Sequence, residues 1–310
     1  MGLKIINTGS FLPDQEVDNF YFENYLDTDN EWIVKRTGIE KRRISTNCDV
    51  REMSIESVRK MNLTENEIKK IKLIIVTTLS ADYIMPSVSS SVAGYLSKQD
   101  VLAFDLNMAC TGFAGASLIA EKYIEDGDYA LIVSTEVLSK FVDFNNRNSA
   151  ILFGDGSGAV LYEKTSEKFF SDNGTVFSED LLLVGKSLNR ESTFIEMDGK
   201  NVYRFTMEYI PKSILKTIEK SDLNEDDIDF FILHQANIRI IEGISKRIGK
   251  REKYYTNLNR LGNTSSATIP ICLDEMKRKN LLNNKKILLS GFGGGLNYAT
   301  CIVETGGERK

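Results

Sequence analysis

The sequence predicts an α/β protein with a layered sheet, assembled from two related halves. Three features predict it. Apolar, β-rich runs alternate with helical patterns, the order of elements in residues 1–165 recurs in residues 166–310, and each half ends on a glycine-rich turn that runs into a β segment.

In the first half, KLIIVTTLS (72–80) reads as a strand, the stretch from about Pro86 to Leu96 as an amphipathic helix, and VLAFDLN (101–107) as a second strand. Small residues around 111–124 suit a closely packed helix, and YALIVSTEVL (129–138) is a third strand. In the second half, DFFILHQAN (229–237) is an apolar strand followed by a helical stretch to about Lys250. YYTNLNRLGN (254–263) parallels the strand and loop at 104–110, and KILLSGFGGG (286–295) parallels 129–138. The closest echo joins FGDGSGAVLYE (153–163) to FGGGLNYATCIVE (292–304). A duplication this long points away from solenoids, whose repeats run to about 20–50 residues. With no low-complexity or Pro/Ser-rich linker between them, the halves are expected to share one body.

Composition narrows the function. At 42% hydrophobic and 27% charged residues with 4 prolines, the chain of 310 residues is that of a folded domain rather than a disordered or fibrous one. A formal charge of −5 argues against general affinity for nucleic acid. No run approaches the roughly 18–20 apolar residues of a membrane span, and MGLKIINTGSFLP lacks a secretory pattern, so the expectation is a cytoplasmic protein without a membrane partner. Four well-separated cysteines without a C-x-x-C pair suggest neither a disulfide scaffold nor a zinc site, and a single histidine excludes a multi-histidine metal centre. Neither GFGGGLN nor FGDGSGA fits a phosphate-loop pattern, so both read as tight turns where backbones approach.

Three residues carry the candidate chemistry. Cys110, in FDLNMACTGFAGASLIA, sits where a strand ends and a helix opens. Exposed N–H groups there favour a thiolate and can face a developing oxyanion, although a cysteine in such a place also serves simply as packing. His234 follows the strand FFIL, at the carboxyl end where sites in layered sheets collect. Asn263, in RLGNTSSATIP, reads in isolation as a helix cap. In the duplication it takes the position that Cys110 holds in the first half, which would bring both to one crevice. A nucleophile and two hydrogen-bonding groups at strand-to-helix junctions suit acyl transfer.

CTGFAGA, FGDGSGA, HQANIRI, GNTSSATIP and GFGGG, in this order, resemble the β-ketoacyl-ACP synthase III family, as do the N-terminal TGSFLP and DTDNEWIVKRTGI (27–39). The resemblance covers nearly the whole chain. It implies a thiolase-like fold of two pseudo-symmetric halves in αβαβα layers, a homodimer, and no cofactor, since acyl-CoA and malonyl-ACP are substrates. It implies further that Cys110 takes the acyl group from acyl-CoA, that His234 and Asn263 hydrogen-bond the malonyl thioester as CO2 leaves, and that the N–H groups of Cys110 and Gly294 form the oxyanion hole. Thr28, Trp32, Arg36, Arg147 and Asn237 are the implied CoA contacts. Leu138, Phe153 and a neighbouring subunit's Met85 would line the acyl pocket. Gln235, Arg239, Lys246, Arg247 and Lys250 would meet an acidic acyl carrier protein; residues 238–253 hold six basic and two acidic side chains. Met85 stands where many members carry a bulky aromatic, and NMAC departs from an alanine-rich run, so both bear on the choice of primer.

Other readings keep the same residues. An acyltransferase of specialised metabolism would differ in acceptor. A cysteine hydrolase shares the order Cys, His, Asn but would need C-G-[SA]-C-[WY], which is absent. A non-catalytic carrier-binding protein would take no label at Cys110.

Overall fold

The computed structural model describes residues 2–178, 181–185 and 191–307. Its first half runs β1 (Leu3–Phe11), α1 (Asn30–Thr37), α2 (Val50–Arg59), β2 (Ile71–Thr77), α3 (Val88–Tyr95), β3 (Leu102–Leu106), α4 (Gly112–Tyr123), β4 (Tyr129–Glu136) and β5 (Gly156–Lys164). Its second half runs β6 (Phe170–Thr175), α5 (Gly199–Lys220), β7 (Phe230–Leu233), α6 (Ile238–Ile248), α7 (Thr268–Arg278), β8 (Lys286–Gly293) and β9 (Asn297–Thr305).

Strand pairing repeats between the halves. β5 lies antiparallel between β1 and β4, and β2 lies parallel between β4 and β3. Likewise β9 lies antiparallel between β6 and β8, and β7 is parallel to β8. The two sheets touch where β1 and β9 run parallel, at Lys4 with Glu304 and Ile5 with Thr305. One expectation fails here. The stretch 254–263 does not form a counterpart of β3: it makes isolated bridges, Tyr254 to Phe231 and Asn263 to Phe153, and a short helix spans Leu258–Leu261. Asn257, Asn259 and Gly262 interrupt the run after Tyr254, Tyr255 and Thr256, too soon for a ladder to extend.

Every residue of β4 is buried, as a strand covered on both faces must be. Between the sheets lie α4 and α7. Gly112, Ala114, Gly115, Ala116 and Ala120 let α4 approach both sheets, and Thr268–Met276 of α7 is buried all round. This central core joins Phe113 and Ala116 to Leu73 and Ile75 of one sheet and to Ile232 and Leu289 of the other. Outer layers complete the arrangement: α2 and α3 pack on the first sheet, α5 and α6 on the second. The result is the αβαβα order.

Between β1 and α2 an excursion carries α1. The buried Arg42 pins it to the body, donating to the Asn19 side chain (2.9 Å) and to the Ile151 carbonyl (2.8 Å) with its guanidinium over Phe22. Burial lowers its pKa to about 10, so it stays charged at neutral pH. Among the described residues, no helix is long and apolar enough to cross a membrane.

Candidate active site

Cys110 lies in a 3-10 turn, Ala109–Thr111, between β3 and α4, and Ser265–Ala267 is the matching turn before α7. Ala109 and Ser265, at φ +45° and +49°, open the two turns in the same left-handed conformation. In both turns an asparagine two residues earlier caps that amide: Asn107 Oδ1 accepts from Ala109 N (3.3 Å) and Asn263 Oδ1 from Ser265 N (2.8 Å). The residue in the nucleophile's position is therefore Ser266, and Asn263 corresponds to Asn107. The expected equivalence of Asn263 with Cys110 is three residues out of register, because the start of the helix, not the end of the strand, aligns the two halves.

The turn at Ser265 is where the candidate residues meet. Its backbone amide orients the Asn263 carboxamide, leaving the Nδ2 amino group as that side chain's donor. His234 follows β7, its N–H donating to Ser290 O (2.9 Å) and its ring standing edge-on to Phe292 at 5.4 Å. Thr268 Oγ1 lies 2.9 Å from His234 Nδ1 and 3.0 Å from the Ser265 carbonyl. The Thr268 hydroxyl has one proton: given to the Ser265 carbonyl, it leaves Oγ1 to accept from Nδ1–H; turned to Nδ1, it leaves the ring proton on Nε2, the tautomer that can donate to a substrate oxygen. Cys110 faces the same turn through the Ser265 hydroxyl. From the other side β8 closes in: a Cβ on Gly293 would stand 2.7 Å from Cys110 Cβ and 3.1 Å from its Sγ. Gly294, the expected oxyanion donor, follows directly, beside Ala109.

Burial sets the charge states. It pushes the Cys110 thiol up to about 12, assisted by the nearby Glu136 and opposed by the Ser265 hydroxyl. The expected preference for thiolate is reversed, since desolvation outweighs the amides at the turn. Cys110 nevertheless keeps part of its surface open, which attack on a substrate requires. His234 is driven down to about 3 by burial and is therefore neutral, a hydrogen-bonding group rather than a cation.

Around this centre the other expected residues separate. Two guanidiniums lie against the Trp32 ring, Arg36 at 5.1 Å and Arg147 at 4.6 Å from its centre. Arg147 also donates to the Asp27 carbonyl. The neighbouring Thr28 hydroxyl is buried without a hydrogen-bond partner. Asn237 caps α6 through Arg239 N (2.8 Å) and holds the Arg36 carbonyl (3.1 Å), fastening α1 beside α6. Leu138 and Phe153 share one buried cluster with Leu182, whereas Met85 is 83% exposed on its own chain and does not join them. Arg239, Lys246 and Arg247 are exposed on α6, and Lys250 pairs with Asp226. Gln235 is corrected: fully buried, it donates to Leu233 O (2.7 Å) and accepts from Asn257 N (3.2 Å), so it braces the loop and presents nothing to a carrier.

Comparison with known proteins fits this geometry. Residues 104–180 match the family described as 3-oxoacyl-(acyl-carrier-protein) synthase III, and residues 218–305 match its C-terminal region. A beta-ketoacyl-(acyl-carrier-protein) synthase III of Clostridium acetobutylicum is 39% identical over 322 residues, covering 97% of this chain and 98% of the relative. That of Clostridium tetani is 37% identical over 330 residues with the same coverage. The chain belongs to the synthase III family. As a synthase III it is a condensing acyltransferase with the thiolase-like fold. The crystal structure of the enzyme from Aquifex aeolicus VF5 superposes with a TM-score of 0.89 at 32% identity, covering 97% of this chain and 99% of that one. The priming beta-ketosynthase of the R1128 polyketide pathway superposes at 0.92 with 28% identity, covering 99% and 97%.

Four residues of this synthase III site escape a reading of the sequence alone. Thr268 and Ser265 are ordinary helix-opening residues until the fold places them against His234 and Cys110. Gly293 is one of three glycines in a row. Glu136 carries the one visible signal, an acid closing an otherwise apolar and small-polar strand that is buried throughout.

Proposed function

We propose that this synthase III joins a short acyl-CoA primer to malonyl-ACP, releasing CoA and CO2 and starting fatty-acid synthesis. The observation that carries it is the convergence of Cys110, His234 and Asn263 on the Ser265 turn, with Gly293 against the sulfur. Cys110 holds the acyl group. His234 Nε2 and Asn263 Nδ2 donate to the malonyl thioester oxygen, where charge develops as CO2 departs, and the Cys110 and Gly294 amides receive the oxyanion on the acyl carbon. No cofactor takes part.

Trp32, Arg36, Arg147 and Thr28 form the CoA handle, with an aromatic plane for the base and guanidiniums for phosphate; Asn237 positions it. Arg239, Lys246 and Arg247 meet the acidic carrier. A homodimer is supported by β3, an edge strand whose Leu102 is exposed, and by Tyr83, Ile84 and Met85 standing out beside it. A second copy covers these residues and takes Met85 toward its Leu138 and Phe153. The division at residues 165 and 166 follows the recurrence of strand order, and the cytoplasm is the compartment that supplies both substrates.

Intact-mass analysis of the protein with a mixture of acyl-CoAs tests the reading and reports the primer. One acyl adduct on the wild type and none on Cys110→Ala are expected; an adduct of equal yield on Cys110→Ala rejects the mechanism. The R1128 neighbour favours a second reading with another acceptor, and CO2 release from malonyl-ACP across an acyl-CoA panel separates the two.

A further inference from the structure

The reaction as described leaves one buried acid unused, and its surroundings tie it to the nucleophile. Glu136 ends β4 with no exposed surface, and among the described residues no basic side chain pairs with it. Oε2 accepts from Leu79 N (3.1 Å), Ser80 Oγ (2.8 Å) and Thr78 Oγ1 (3.4 Å), and Oε1 from Ser266 Oγ (2.8 Å). The Ser265 hydroxyl acts on both this carboxyl and the Cys110 thiol. It is buried, lies within electrostatic reach of both, and completes a well-formed hydrogen bond with neither. An unsatisfied buried hydroxyl costs stability, and one beside both a nucleophile and an acid calls for a role.

We propose that Glu136 is a positioning residue for acylation, taking up the Cys110 proton through the Ser265 hydroxyl as sulfur attacks the thioester. This rests on Cys110 being the acylated group. As the new S–C bond forms, the thiol proton passes to Ser265 Oγ while Ser265 passes its own to Glu136. The CoA sulfur leaves with the electron pair of the broken C–S bond and takes the proton that Glu136 hands back through Ser265 Oγ. The products are acyl-enzyme, CoA thiol and ionised Glu136.

His234 serves this step poorly, since burial holds its basicity near a pKa of about 3. Glu136 is better matched: burial lifts it to about 7, against the donors from Leu79, Ser266 and Ser80. The groups facing it are the Thr78 and Ser80 hydroxyls and Leu79 amide from the loop after β2, Ser265 and Ser266 from the turn before α7, and the Cys110 thiol. Lys140, paired with Asp82, donates to the Ser80 carbonyl (3.4 Å) and not to the Glu136 carboxyl. A base with a raised pKa is ionised above it, so acylation rises with pH through about 7.

Single-turnover acylation of Cys110, followed by intact mass from about pH 5.5 to 8.5, tests this. In Glu136→Gln the rate falls by about 10²-fold and the inflection disappears. Glu136→Asp restores the inflection. Ser265→Ala, which removes a hydroxyl with no formed hydrogen bond and so leaves the fold intact, slows acylation and loses the inflection too. Ser266→Ala takes one donor from the carboxyl and moves the inflection to higher pH. The wild-type profile in Glu136→Gln or in Ser265→Ala, with label on Cys110, overturns this inference alone; label that persists in Cys110→Ala overturns the assignment of Cys110 and this inference with it.

Discussion

A single methyl group at Gly293 should disable the nucleophile without disturbing the rest of the molecule. The added Cβ of Gly293→Ala falls 2.7 Å from Cys110 Cβ and 3.1 Å from Sγ. Carbon atoms rest at about 3.5–4.0 Å, so one of the two must retreat by roughly 1 Å. The backbone at Gly293 is extended, at φ 167°, and adds no strain of its own, so the clash is the whole effect. A misplacement of about 1 Å costs about 10²-fold in rate, or some 2.7 kcal/mol of transition-state stabilisation. Overpacking adds a stability loss of about 1–3 kcal/mol. Rapid-quench acylation with acyl-CoA, alongside thermal unfolding, separates the two. The control is Gly94→Ala in α3, where a Cβ meets nothing within 4 Å and acylation should be unchanged. A folded Gly293→Ala that acylates at the wild-type rate refutes the placement of β8 against the sulfur.

His234→Ala and Asn263→Ala should each acylate normally yet lose about 2.7–4 kcal/mol in condensation, a fall of 10²–10³ in CO2 release. Because burial lowers His234 to about 3, its imidazole stays neutral above that pH, and the condensation half-reaction should show no inflection near the ordinary histidine value of about 6.5. Thr268→Val keeps the shape and removes the hydroxyl that can donate to Nδ1; condensation should fall about fivefold, for one hydrogen bond of about 1 kcal/mol, while acylation is spared. Reversing Arg239 and Lys246 to Glu should slow carrier-dependent turnover at low salt, with the defect shrinking as salt rises and acylation from CoA unaffected.

Much of this was legible before any coordinates because the signals were local. Runs such as KLIIVTTLS and YALIVSTEVL have no stable place except a sheet covered on both faces, and both became β2 and β4. What failed depended on comparing distant segments. YYTNLNRLGN has the composition of a strand for three residues only, so its duplicate role shrinks to isolated bridges at Tyr254 and Asn263. Asn263 was matched to Cys110 by its place after a strand, whereas the shared feature is the left-handed residue before each central helix, which leaves no mark in composition. Gln235 adjoins His234 in sequence, yet its carboxamide is spent on the Leu233 carbonyl and the Asn257 amide.

The corrected register explains why duplication suits this chemistry. Both halves build the same asparagine-capped turn at the start of a central helix, and the two helices lie side by side between the sheets, so the turns arrive at one place. One turn can then carry sulfur while the other carries hydrogen bonds. Asn107, not needed at the substrate, remains exposed; Asn263 is buried with its amino group available. In the nucleophile's own position the second half holds Ser266, whose hydroxyl donates to Glu136. A duplicated fold thus places two different reagents within reach of one acyl carbon by changing side chains on an unchanged backbone. The cost is desolvation, which is why the thiol and imidazole both rest uncharged and why proton transfer, rather than standing charge, must accompany acylation.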